Sequence, residues 1–118
     1  MNDSWKALLV KFVMTFVFAW LTFGLIDRNG MTMVLLLSVA VTILNYIVGD
    51  LYALRTSGNL VASVTNGLLG ALLAYMADIL SAAFATTGTA LAAFAGLLII
   101  GEYVFHLRLL GAEKARSR

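Results

Sequence analysis

The sequence predicts an all-α integral membrane protein, an up-down four-helix bundle with both termini on the cytoplasmic side. Three observations predict it. The composition is lipid-like, the apolar residues fall into four runs of membrane-crossing length, and Lys and Arg collect on one side of the resulting topology. Apolar residues make up 62% of the 118 and charged residues only 12%, with a mean hydropathy of +0.97. A soluble domain of this length leaves much of its surface in water and could not hide so much apolar area. The length suits one domain over residues 1–118.

The runs fall at about residues 5–26, 31–52, 60–80 and 89–110. Each is near the ~20 residues that cross ~30 Å of hydrocarbon as a helix. Lys6 before the first run imitates a signal peptide, but no small-residue cleavage site follows. The run ends instead at the turn Asp27-Arg28-Asn29-Gly30, so a retained first span is expected. The second and third runs are joined through Arg55-Thr56-Ser57-Gly58-Asn59, and the third and fourth through the weakly polar residues 81–88. Short links between long helices make sequential helices antiparallel neighbours. Proline is absent, so no proline kink is expected.

With the N-terminus inside, the inner side holds Lys6, Lys11, Arg55, Arg108, Lys114, Arg116 and Arg118, and the outer side only Arg28. The positive-inside rule therefore selects N-in, C-in. Trp5, Tyr52 and Tyr103 then fall near the inner interface and Trp20 and Tyr75 near the outer one, where amphipathic rings settle.

Small residues recur four apart on the last two spans: Ala62, Asn66, Gly70 and Ala74 on one, Gly88, Ala92 and Gly96 on the other. Lipid gives helices no hydrophobic reason to associate, so close backbone approach must do that work. The two rows are expected to face each other within the bundle. The competing use of the same stripe is a homodimer seam.

Six polar or ionisable side chains interrupt the apolar runs: Lys11, Asn45, Asp50, Asn66, Glu102 and His106. The topology places all six in the inner half of the membrane, with every span contributing at least one. Such groups are unfavourable in lipid unless they meet one another or water. Two uses follow. One is a structural clasp in which Lys11 pairs with Asp50 or Glu102, and His106 and the asparagines complete the hydrogen bonds. The other is a proton- or cation-handling site with Glu102 or Asp50 as the titrating ligand. Asn59, at the mouth of the third span, suits an N-cap. Asp27, Arg28 and Asp78 read as solvated turn and helix-end residues.

Other chemistry lacks its parts. Without Cys there is no disulfide or thiolate site. Glu102 and His106 share a helix face at i and i+4, but a single His makes a tight transition-metal site improbable, so no metal is expected. Gly67-Leu68-Leu69-Gly70 lies inside a span and is no phosphate loop. The serines have no base in evident reach. No cofactor, no nucleic acid and no enzymatic activity are expected.

The segments Tyr46-Ile47-Val48-Gly49-Asp50-Leu51, Gly58-Asn59-Leu60-Val61-Ala62-Ser63 and Gly101-Glu102-Tyr103-Val104-Phe105-His106, in that order, resemble the YndM-like family. These are small four-span membrane proteins of Gram-positive, largely spore-forming bacteria. The chain departs from that pattern at Leu54-Arg55, where a Leu-Pro pair is usual, and at Asn66, where Asp is common. The second departure removes a carboxylate from the polar set. The resemblance implies four spans and a bacterial plasma membrane, and no activity. The expected function is that of a non-enzymatic integral membrane protein, structural or accessory, with the polar cluster holding the bundle. Its expected partners are the lipid bilayer and either further copies of itself or another membrane protein. The alternative is a small oligomeric proton- or cation-coupled transporter or channel.

Overall fold

The structure, a computed structural model, describes the backbone of residues 3–116 and the side chains of residues 5–49 and 51–108. Among the described residues there are only helices, turns and coil. Helix one is Asp3–Ala19 continued by the π-helical turns Trp20–Ile26. Helix two is Met31–Leu44, continued by π-helical Asn45–Ala53 and α-helical Leu54–Ser57. Helix three is Asn59–Leu80 and helix four Gly88–Arg116. Each contains a stretch long and apolar enough to cross a membrane. They form a bundle of 50 × 27 × 20 Å.

The second helix runs past Tyr52 to Ser57, and the link to helix three shrinks to Gly58. Gly58 has φ of 90°, a left-handed conformation that a residue without Cβ adopts without strain. This lets two antiparallel helices reverse across one residue. We call the end of the bundle near Gly58 and the start of helix one the terminal end, and the opposite end the loop end.

The loop end is tied by side chains. Asn29 donates to Ala85 O at 2.7 Å and accepts from Ala85 N at 2.8 Å, joining the two loops like a strand pair. Asp27 accepts from the backbone N–H and hydroxyl of Thr87 at 3.0 and 2.7 Å. Asp78 does the same for Thr86 at 3.0 and 2.9 Å. Asp27 and Asp78 are therefore bound acceptors rather than merely solvated helix ends.

The core has two halves. Toward the loop end it is apolar: Phe23 packs edge-on against Phe94 at 4.8 Å and Phe84 at 5.5 Å, over Val34, Leu37, Val41, Ala74 and Leu98. Toward the terminal end lie the buried polar side chains of Lys11, Asn45, Ser63, Asn66, Glu102 and His106, beside a small apolar cluster of Ala53, Leu54 and Ala62.

Helix three presents Ala62, Ser63, Asn66, Gly67, Gly70 and Ala74 to the interior. The surface opposing it on helix four is not the expected small-residue row. Gly88 and Ala92 are exposed, and a Cβ at Gly88 or Gly96 would meet nothing within 4 Å. The hollows at Gly67 and Gly70 are filled instead by Ile99 and the Ala95 carbonyl, and by Phe94 and Leu98. Packing is small against large, because a bulky side chain fills a glycine notch with more contact than a second glycine would.

Candidate functional site

Asn45, Asn66 and Glu102 each stand 14 residues from the loop-end terminus of their helix: Met31, Leu80 and Gly88 respectively. One turn toward the loop end from these three, Gly70 packs against Leu98 and Val41, so the three stand near one level, and all are fully buried. Lys11 joins that level from helix one, because its ammonium donates to Glu102 Oε1 at 2.5 Å. Each of the four helices thus contributes one inward polar group to a single layer. Lys11 is also completely buried, and its Nζ stands 5.1 Å from the Phe105 ring centroid, within cation–π range.

The layer extends toward the terminal end. His106, one turn beyond Glu102, places Nε2 at 3.5 Å from the same Oε1. On its other side, Nδ1 lies 2.9 Å from Asn59 Oδ1 and 3.3 Å from Ser63 Oγ. The Asn59 amide group donates to the Tyr103 carbonyl at 3.1 Å, and its Oδ1 also accepts from Ser63 Oγ at 3.1 Å. Because Asn59 Oδ1 can only accept, Nδ1 carries a hydrogen, and Nε2 faces Glu102. A continuous chain therefore runs Lys11–Glu102–His106–Asn59/Ser63 and couples helices one, four and three.

Helix two meets this set through its π-helical stretch. Gly49 lies against the Asn66 amide so closely that a Cβ there would collide with it. Asn45, one turn earlier, is buried with both side-chain polar atoms lacking a hydrogen-bond partner. The same holds for both polar atoms of Asn66, for Glu102 Oε2 and for Thr15 Oγ1, four residues along helix one from Lys11. Asp50 belongs to the helix-two backbone, but its side chain lies outside the described residues.

Of the six polar residues singled out in the sequence, the structure brings together Lys11, Glu102 and His106 by direct contact, and sets Asn45 and Asn66 at their level. Asn59 is a correction. Gly58 occupies the N-cap position of helix three, without a side-chain cap, while Asn59 faces His106 and Tyr103. Ser63, which the sequence reading gives no role in the polar set, bonds to Asn59 and His106. The signal for both was the spacing of Asn59, Ser63 and Asn66, which puts them on one helix face. Among the described residues, no group of three His, Asp or Glu side chains is arranged to hold a metal ion.

Four apolar helices of membrane-crossing length around a buried polar layer define a class, that of multi-pass helical membrane proteins. Residues 2–116 match the family described as Protein of unknown function (DUF2512), and the chain belongs to that family. No curated protein and no solved structure matches it.

Proposed function

We propose that the protein is a non-enzymatic structural or accessory component of a bacterial plasma membrane, with both termini cytoplasmic, and that the polar layer clasps its bundle. The likeness of the segments around Asp50, Asn59 and Glu102 to the YndM-like proteins supports the plasma-membrane part of this reading. The observation that carries the reading is the Lys11–Glu102 ion pair, in which both side chains are fully buried and the first helix is joined to the last. A carboxylate whose Oε1 is held by an ammonium and approached by an imidazole is bound to its neighbours rather than offered to a passing ion. In lipid the alternative to such a pairing is a bare charge, so the pair fixes helix rotation and register as well as contact. The row of exposed Gly88 and Ala92 and half-buried Gly96 leaves a surface on helix four for a second copy or a membrane partner.

The test is flux of protons and monovalent cations into proteoliposomes, set beside thermal unfolding, for wild type and Glu102→Gln. The clasp predicts no flux from wild type and a markedly lower unfolding midpoint in the variant. Wild-type flux that disappears in a Glu102→Gln protein of unchanged midpoint would replace this reading by that of a small oligomeric transporter or channel.

A further inference from the structure

We propose that the polar layer encloses a binding site for water, held between the side-chain amides of Asn45 and Asn66 and the second carboxylate oxygen of Glu102. These groups stand near one level on three helices, fully buried, and none of the five polar atoms has a hydrogen-bond partner among the described residues. Buried polar atoms left without partners are destabilising, and the usual remedy is an ordered water bonded to about three of them. Gly49 lets the Asn66 amide lie against helix two, since any larger residue there would overlap it.

The donor set chooses the ligand. The two amides offer N–H donors as well as carbonyl acceptors, and Glu102 Oε2 offers only acceptance. A bare cation would use the three oxygens but leave both NH₂ groups unmet, and it would lie close to the Lys11 ammonium already bound to Oε1. An anion would use the NH₂ groups but face the carboxylate. Water alone donates to the oxygens and accepts from the amides. The site goes beyond the clasp: the clasp concerns Oε1 and the contact between helices one and four, whereas the water holds Oε2 and draws helices two and three to the same carboxyl group.

The experiment uses the full chain in lipid nanodiscs, ¹⁵N-labelled at its five asparagines. Cross-relaxation between water and the side-chain amide protons is recorded, with Asn45 and Asn66 assigned by the signals lost in Asn45→Leu and Asn66→Leu. Cross-peaks of the sign given by long-lived bound water at both residues are expected. Their absence at both, in a wild-type sample with a dispersed folded spectrum, would overturn the proposal. Wild-type unfolding midpoints are then compared in sodium, potassium and N-methylglucamine chlorides at equal ionic strength. Equal midpoints are expected, and a midpoint raised by one alkali cation alone would overturn water in favour of an ion.

Discussion

At the scale of single residues, the molecule is organised by how Glu102 is satisfied. Its Oε1 is shared by Lys11 and His106, from two different turns and two different helices. Taking one member from a buried ion pair leaves the other charge behind, at a cost of roughly 3–5 kcal/mol, whereas replacing both by apolar groups of similar volume is often neutral. Glu102→Gln and Lys11→Met are therefore each expected to lower stability by about that amount, and Lys11→Met/Glu102→Leu to recover most of the loss. Unfolding of the three purified variants in graded denaturant, in one detergent, measures this. A double variant as unstable as the sum of the singles would show that the pair does not act as a unit. The polar residues themselves were legible in the sequence, because an ionisable side chain inside an apolar run announces itself. Their pairing was not. Lys11 is 91 residues from Glu102, and Asp50 offered a competing carboxylate at the same expected depth, so spacing could not choose between them.

At the scale of elements, glycines at neighbouring positions have opposite meanings. A Cβ at Gly67 would stand 2.8 Å from the Ala95 carbonyl oxygen, a backbone atom that moves only with helix four itself. A Cβ at Gly96 would meet nothing within 4 Å. Gly67→Ala is therefore expected to destabilise by about 1–3 kcal/mol through overpacking. Gly96→Ala should be neutral or stabilising by up to ~1 kcal/mol, the helix-propensity difference. Thermal midpoints of the two variants check this, and a larger loss from Gly96→Ala would mean that its face packs against a further protein surface. The loop end allows a separate test. Asn29→Ala removes both hydrogen bonds to Ala85 and a third to Phe23 O, at about 1 kcal/mol net for each. It should raise proteolysis within residues 81–87 before the bundle itself unfolds, read as a cleavage rate at fixed protease. These elements show the limit of sequence reading in lipid. Helix length and number follow from apolar runs, but the rotation of each helix does not, since a lipid-facing face is as apolar as a packed one. That is why the row of Gly88, Ala92 and Gly96 could look like the mate of helix three and yet point away. The π-helical stretches of helices one and two were equally hidden, because no proline marks them and their wider turns depend on what packs beside them.

At the scale of the whole molecule, the bundle is asymmetric along its length, with an apolar aromatic core toward the loop end and the polar layer toward the terminal end. The fixed charges follow the same axis. Lys6, Lys11, Arg55 and Arg108 belong to the terminal end, and Arg28 to the loop end. Translocating a cationic link is what the positive-inside rule penalises, so the terminal end is expected to stay in the cytoplasm and the uncharged residues 81–87 to cross. The chain has no cysteine, so single cysteines can report sidedness without altering any native thiol. Ser57→Cys and Ala83→Cys are suitable, since both positions are exposed and lie at opposite ends. In intact cells, an impermeant maleimide should label Ala83→Cys and spare Ser57→Cys until the membrane is opened. The reverse pattern would invert the topology, and labelling of both in intact cells would mean that the chain inserts in two orientations. The charge argument also predicts its own reversal. Adding Ala82→Lys and Ala83→Lys while removing Arg55→Ser shifts three positive charges in favour of the loop end, and should turn a measurable fraction of molecules over, making Ser57→Cys reactive from outside. If orientation stays unchanged under that shift, something other than the Lys and Arg balance sets it. The folded bundle would be the first place to look, because the Lys11–Glu102 pair would have to form before the helices are committed to a side.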